Sequence, residues 1–103
     1  MKKNTIKNVN SPLSSFQLLE RIIVHDEQQL LDIAKLIKDQ RPVLCSFEVL
    51  DVKEANKMIG FLSGVVYAFD GITSFTDEKT ILFAPKSTLE DGTLKQFIKE
   101  RNY

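Results

Sequence analysis

The stretch from residue 51 to residue 71, DVKEANKMIGFLSGVVYAFDG, decides the fold of this chain. Its apolar residues recur at three- and four-residue steps, the spacing of one buried helical stripe: Ala55, Met58, Ile59, Leu62, Val66 and Phe69. A second stripe of Phe61, Val65 and Ala68 is rotated away from the first. A chain of 103 residues has few elements with which to enclose a helix on all sides. The second stripe therefore favours a helix that also meets a partner.

Gly64 lies inside this predicted helix, where glycine is less favourable than alanine by about 1 kcal/mol. Such a glycine usually permits the close approach of another backbone. Gly60 lies one turn earlier, so the helix is expected to carry a flat patch of small residues: Gly60, Ser63, Gly64 and Ala68. The alternative is that Gly64 only relieves crowding inside the core of a single chain.

Composition narrows the classes of protein to consider. The length fits one domain, and a hydrophobic fraction of 43% is ample for a folded core. Fourteen basic residues balance fourteen acidic ones, which argues against non-specific nucleic-acid binding. The single cysteine excludes an intramolecular disulfide and fits a reduced, intracellular setting. No apolar run approaches the roughly 18 residues of a membrane span.

Residues 1–15 are rich in lysine, asparagine and serine and predict a flexible N-terminal arm, without the apolar region of a signal peptide. A membrane-binding alternative rests on four apolar residues at near-helical spacing beside lysines: Ile6, Val9, Leu13 and Phe16. Pro12 interrupts that spacing, which favours the flexible arm. We expect residues 16–103 to form the core domain.

The remaining patterns predict two strands, a helix, a hairpin and a last short helix around the central helix. Strands are expected at residues 16–24 and 43–47, a helix at 26–40, a hairpin of strands at 72–76 and 80–84, and a short helix at 93–101. Asp26, Asp51 and Thr93 are expected to cap the three helices, and Gly71 to take a left-handed conformation where the central helix ends.

This β-α-β-α-β-β order, with a short C-terminal helix, predicts a compact α/β two-layer sandwich with two helices on one face of a small mixed sheet. The other face of the sheet also has to be covered. Either a second sheet from a partner chain or the N- and C-terminal segments of the same chain could cover it.

No arrangement of residues in the sequence indicates an enzyme, a metal site or a cofactor. The four glycines are scattered, and no paired-histidine or nucleophile motif is present. The only histidine, His25, is expected at a strand end. Cys45 is expected to be a small apolar core residue, because a nucleophilic cysteine needs a nearby base. An enzyme would require His25 and Cys45 to meet in space.

Three separated motifs resemble the SepF cell-division protein family. GFLSGVVYAFDG, at residues 60–71, is similar to the family signature DFLSG-x-x-YA-x-x-G. RPVLCSFEVLDVKEANKMI, at residues 41–59, resembles the strand, loop and helix entry of the family. KTILFAPKSTLEDGTLKQFI, at residues 79–98, resembles its last strand and tail. The resemblance as a whole extends over roughly residues 22–98, beyond these three motifs.

The resemblance implies a non-enzymatic, dimerising or polymerising scaffold that acts in the cytoplasm at the division septum. Members bind the C-terminal peptide of the tubulin-like division protein FtsZ, aid assembly of the Z-ring and attach it to the membrane through an N-terminal amphipathic helix. The positions that match self-association are Phe61, Gly64, Val65 and Ala68. Those that match the pocket for the FtsZ peptide are Phe75, Ile81 and Phe83, although all three would also suit an ordinary core.

Three departures from the family pattern qualify these expectations. Phe75 stands where the family commonly has a basic residue, which puts the charge preference for the peptide in question. Gly60 stands where the family usually has aspartate. The N-terminal membrane helix and the acidic linker are not evident, so the chain is either a core fragment or a divergent short member with another membrane anchor.

A second class of function stays open at this point. A small-molecule-sensing regulatory domain of ferredoxin-like type shows a similar order of elements. A pocket lined by polar groups would favour that class, whereas a shallow apolar groove would favour peptide binding.

Overall fold

The computed structural model describes residues 13–101, which form one four-stranded sheet and three α-helices. The predicted α/β fold and its order of elements are confirmed. Expectations for the first twelve residues, including a membrane-binding face at Ile6 and Val9, lie outside the described residues. The elements in chain order are β1 Glu20–Ile23, α1 Leu30–Lys38, β2 Val43–Ser46, α2 Val52–Ala68, β3 Ile72–Asp77, β4 Thr80–Ala84 and α3 Thr93–Glu100.

The sheet is mixed and has the strand order β1-β2-β4-β3. β1 and β2 run parallel and are connected through α1, whereas β4 is antiparallel to both β2 and β3. Because β4 pairs with β2 on one side and β3 on the other, it lies inside the sheet and leaves β3 at one edge. A bulge between Phe75 and Asp77 interrupts the β3–β4 register next to the turn.

The first strand is shorter than the sequence predicts, because residues 16–18 form a turn instead. Ser14 and Gln17 bond reciprocally: Ser14 N–H donates to Gln17 Oε1 at 2.9 Å and Gln17 N–H donates to Ser14 Oγ at 3.1 Å. Such local side-chain bonds give the backbone an alternative to a strand ladder. The predicted extension of β1 back to Phe16 is therefore wrong.

α2 begins where the sequence predicts, after its capping residue Asp51. The helix predicted from residue 26 begins instead as a 3-10 turn that Asp26 caps, and α1 itself starts at Leu30. Asp51 accepts a hydrogen bond from Glu54 N–H at 2.8 Å. Asp26 accepts from Gln28 N–H at 2.9 Å and starts a short 3-10 turn that leads into α1. Both bonds satisfy amides that the first turn of a helix leaves without an intrahelical partner.

The end of α2 differs from the expectation. Asp70, with φ +55°, takes the left-handed conformation that the sequence assigns to Gly71. Gly71 is required for a different reason: a Cβ there would overlap the carbonyl oxygen of Ala84 and lie 2.7 Å from Pro85 Cα. The absence of a side chain thus lets β3 begin directly against the end of β4.

α1 and α2 cover one face of the sheet and form the larger core. Their buried residues pack against alternate residues of β2 and β4. The members on the sheet are Val43, Cys45, Ile81 and Phe83, and the members on the helices are Ile33, Ile37, Ala55, Met58, Leu62 and Val66. The two helices therefore form the layer that the sequence predicts.

The opposite face of the sheet is partly covered by α3 and the segment that precedes β1. Leu82 and Ala84 of β4 pack there with Leu19, Leu94 and Phe97. The sequence leaves open whether a partner chain or the terminal segments cover this face, and in this structure the terminal segments do so.

The expected cap at Thr93 is wrong. Gly92, with φ +81°, is the capping residue of α3, and Thr93 N–H donates to Asp91 Oδ1 at 3.0 Å.

Candidate functional site

α2 is flanked by two apolar grooves, one on each of its long sides. The first, the strand-side groove, lies between α2 and the edge strand β3 and has a volume of about 240 Å3. Its walls are residues from the β2–α2 loop, one side of α2, β3 and the β3–β4 turn: Phe47, Leu50, Val52, Ala55, Asn56, Ile59, Phe75, Glu78 and Lys79.

The strand-side groove combines an apolar lining with charges at its rim. The side chain of Phe75 is 43% exposed and that of Val52 is 71% exposed. Beyond the groove, Thr73 Oγ1 donates to Ser63 Oγ at 3.2 Å, which ties β3 to α2. A groove of this size that keeps an aromatic ring half-exposed suits an apolar side chain of a ligand.

The turn between β3 and β4 supplies the charges at the rim of the strand-side groove. Lys79 N–H donates to Asp77 Oδ1 at 2.8 Å, which fixes the backbone of the turn. No ion pair involving the Lys79 ammonium is present among the described residues. By contrast, Lys57 on α2 pairs with Glu27 at 2.8 Å, and this hydrogen bond raises the pKa of Lys57. Lys79 is thus a cation available to a ligand in this groove.

The three residues predicted for the peptide pocket are close together but unequally accessible. Phe75 and Ile81 are register partners on β3 and β4, and Phe83 lies two residues further on the same face. Ile81 and Phe83 are fully buried in the core beneath α2, whereas Phe75 lines the groove. Only Phe75 of the three therefore presents its side chain to a ligand, and its role in binding stays a prediction.

The residues of α2 that complete this groove were not singled out from the sequence. Val52, Asn56 and Ile59 follow one another at four- and three-residue steps and thus share one side of the helix. Ile59 was assigned to the buried stripe, and Asn56 separates the two apolar residues. Their helical spacing indicates that the three residues share one side of α2. It does not indicate a groove, because the position of β3 beside that side is a property of the tertiary structure.

The second groove, the helix-side groove, lies between α1 and the other side of α2. It has a volume of about 280 Å3 and is lined by Leu31, Ala34, Val65 and Phe69, with Lys35 and Lys38 at its rim. Leu31 is 68% exposed, although leucine is usually buried. An apolar groove with such an exposed residue beside it is typical of a surface that another protein covers.

The residues predicted for self-association lie on or next to the helix-side groove. Phe61 is 45% exposed, Gly64 and Ala68 are exposed, and Val65 is half-buried in the groove wall. A Cβ built on Gly64 meets no atom within 4 Å. Crowding inside the chain therefore does not explain this glycine, and that alternative is wrong. The self-association itself stays a prediction.

Catalytic chemistry has no visible basis around Cys45 and His25. Cys45 is buried in the core, and this burial raises the pKa of its thiol to about 12, so the thiol stays protonated at neutral pH. His25 is exposed at the end of β1. Within residues 13–101, no three histidine, cysteine, aspartate or glutamate side chains come together as a metal site. No helix in the same range has the length and apolar character of a membrane span.

A third cleft, of about 450 Å3, lies on the far face of the sheet, between the segment before β1 and α3. Asp91 accepts hydrogen bonds there from Ser15 N–H at 2.7 Å and from Thr93 N–H at 3.0 Å. These bonds lower the pKa of Asp91 to about 2. The rings of Phe16 and Phe97 lie 5.5 Å apart beside it. These contacts hold the segment before β1 onto α3.

The family model and the relatives that match this chain carry the same name. The family model described as "Cell division protein SepF" matches residues 22–88, which include both walls of each groove. Proteins named "Cell division protein SepF" from Natranaerobius thermophilus and Bacillus licheniformis are each 29% identical to this chain over 101 residues. These two alignments cover 89% and 98% of this chain and 60% and 66% of the relatives.

A protein of the same name from Caldanaerobacter subterraneus subsp. tengcongensis is 32% identical over 69 residues, which are 67% of this chain and 52% of the relative. The chain thus spans about half to two thirds of the length of these curated relatives. The range that the family model matches carries α2 and strands β2, β3 and β4.

Proposed function

The chain belongs to the SepF family of cell division proteins, and from this membership we propose that it is a non-enzymatic adaptor for FtsZ. It binds the C-terminal peptide of FtsZ in the strand-side groove and associates with further copies of itself through the other side of α2. The observation that carries this proposal is the strand-side groove itself, an apolar channel in which the ring of Phe75 stays half-exposed.

The lining of the strand-side groove favours a peptide over a small polar ligand. Its walls are mainly apolar, and its rim carries Glu78 and Lys79. A short peptide with apolar anchors gains affinity by burying them against Phe75 and Ile59. Lys79 then takes the part of the basic residue that the family commonly has at the position of Phe75, and pairs with a carboxylate of the peptide.

The helix-side groove serves the self-association of the adaptor. A second copy packs against Phe61, Gly64, Val65 and Ala68, and the lack of a side chain at Gly64 brings the two helix backbones close. Each protomer then presents one strand-side groove, so the assembly gathers several FtsZ tails. Such multivalency strengthens binding without any new contact. In this proposal the protein acts in the cytoplasm at the septum, where it aids assembly of the Z-ring and its tethering to the membrane.

Titration with a labelled peptide tests the adaptor function. The peptide is copied from the C-terminus of FtsZ of the same organism, and binding is followed by fluorescence anisotropy. Phe75→Ala is expected to weaken binding about tenfold, because aromatic anchors dominate such interfaces. The matched control is Phe61→Ala, which removes an equally exposed ring from the other side of α2 and should leave the affinity unchanged.

The buried residues of the predicted pocket are unsuitable for this test. Ile81→Lys would place an unpaired charge in the core, where Ile81 is fully buried, and would unfold the protein rather than empty the groove. With Phe75→Ala the fold is checked by circular dichroism. The absence of saturable binding by the folded wild-type protein would overturn the proposed function.

A further inference from the structure

The free edge of the sheet meets the strand-side groove at Phe75, the residue of β3 that lines it. β3 is bonded to β4 on one side, and its other side ends the sheet. In an antiparallel strand, the N–H and C=O groups of alternate residues point to opposite sides. Half of the backbone groups of β3 therefore point away from β4, toward the ligand that occupies the groove.

These backbone groups restrict the conformation of that ligand. A peptide that covers Phe75 also displaces water from the adjoining edge of β3, and donors and acceptors buried without partners are unfavourable. Only an extended polypeptide offers N–H and C=O groups at the repeat of a strand together with side chains for the groove. The apolar lining of the groove and the free backbone groups of β3 therefore both favour an extended peptide as the ligand.

Given the proposed function, we propose that the bound peptide adds to the sheet as a fifth strand beside β3. The pairing extends over residues 72–75, because the bulge between Phe75 and Asp77 ends the regular edge. The side chain of the peptide that lies beside Phe75 enters the groove between Phe75 and Ile59, while the side chains next to it in the peptide face the opposite side of the sheet. Past the bulge, the peptide reaches Lys79.

The interior of the fold explains why the groove has this limited length. Thr73 faces α2 on the same side of β3 as Phe75, and its hydrogen bond to Ser63 joins strand and helix at 3.2 Å. Side chains of the peptide therefore have room beside Phe75 but not beside Thr73. The structure thus assigns one main anchor position to the peptide, beside Phe75, with backbone pairing along residues 72–75.

A series of N-methylated peptides tests the added strand. The unmethylated FtsZ peptide is the reference, and single N-methyl groups are placed in turn along its apolar part. Methyl groups at alternate positions are expected to weaken binding about tenfold, because each removes a donor that β3 accepts. Methyl groups at the intervening positions should leave the affinity within about twofold. Equal effects at all positions, or none, would overturn the added strand while leaving the proposed function intact.

Amide hydrogen exchange of the protein provides a second measurement. Alternate amides of residues 72–75 should exchange quickly in the free protein and slow down when the peptide is bound. If the same amides are already protected in the free protein in a concentration-dependent way, a second copy occupies the edge and the inference fails. If the unmethylated peptide does not bind at all, the proposed function fails together with the inference.

Discussion

The two sides of α2 offer grooves of similar size that differ in their second wall. The helix-side groove has a volume of about 280 Å3 and is closed by α1, whereas the strand-side groove has about 240 Å3 and is closed by β3. Each has an exposed phenylalanine in or beside it, Phe61 at 45% and Phe75 at 43%. Neither size nor apolar character therefore separates the two surfaces.

The backbone of the second wall makes the difference. In helices the backbone groups bond within the same element, so the helix-side groove presents side chains alone. An edge strand leaves half of its backbone groups unpaired, so the strand-side groove presents hydrogen-bonding partners as well. The first groove suits the face of another helix, and the second suits an extended peptide. One helix can thereby serve two partners without competition between them.

The largest expected effect comes from the residues that hold α2 in place, because both grooves depend on them. Leu62 is fully buried between the two sides. Leu62→Ala is expected to lower the free energy of unfolding by about 2–5 kcal/mol, measured by urea denaturation. Peptide binding and self-association should then weaken together. If the variant lost one activity and kept the other, the view that α2 supports both grooves as a rigid wall would be wrong.

The two exposed phenylalanines provide the next test of the comparison. Phe61→Ala is expected to weaken self-association about tenfold, as measured by sedimentation velocity over a range of concentrations. Phe75→Ala is the matched control and should associate like the wild type. Both variants should lose a similar, modest part of the wild-type stability, since a little more than half of each side chain is buried. If Phe75→Ala weakened self-association and Phe61→Ala did not, the roles proposed for the two grooves would have to be exchanged.

The sequence predicts the elements of this fold well and its accessible surfaces less well. The last strand agrees with the prediction to the residue, at Thr80–Ala84, and the central helix begins at its predicted cap. Both signals are local: an apolar run closed by Pro85, and a capping aspartate before a periodic segment. The apolar residues at 16–18 predict a strand, whereas the hydrogen bonds between Ser14 and Gln17 hold the backbone in a turn there.

The candidate site shows why accessibility is harder to predict. Phe75, Ile81 and Phe83 are correctly placed on neighbouring strands, but a resemblance gives positions and not exposure. Ile81 and Phe83 are buried because β4 lies between β2 and β3, whereas Phe75 is exposed because β3 is the edge strand. The order of strands in the sheet is a tertiary property that periodicity within one segment does not contain.

A substitution at Gly64 is expected to have a smaller effect on stability, and to raise it rather than lower it. Gly64→Ala is expected to raise the stability of a single protomer by up to about 1 kcal/mol, because alanine favours the helix and its Cβ meets no atom within 4 Å. The same change should weaken self-association by holding the two helix backbones apart. Thermal unfolding and sedimentation velocity of one preparation measure both effects.

Gly71→Ala is the matched control for this substitution. A Cβ at Gly71 would overlap the carbonyl oxygen of Ala84, so the control should destabilise the fold. A decrease in stability for Gly64→Ala as well would mean that Gly64 has a structural role inside the protomer. The helix-side groove would then lose its main argument for close packing of a second copy.

The smallest expected effect tests whether the two grooves are independent of the far face of the sheet. Hydrogen bonds from Ser15 and Thr93 lower the pKa of Asp91 from its ordinary value of 3.8 to about 2. Because the folded state binds this proton less readily, the stabilising contribution of Asp91 is complete above pH 4 and is lost as the pH falls through 2. Asp91→Asn should therefore lower the thermal midpoint slightly at pH 5, and its difference from the wild type should shrink toward pH 2.

The same variant should leave peptide affinity and self-association at neutral pH unchanged, since α2 lies on the opposite face of the sheet. A change in either property would show that the segment before β1 is coupled to α2 through the sheet. The two sides of α2 could then no longer be treated as separate surfaces.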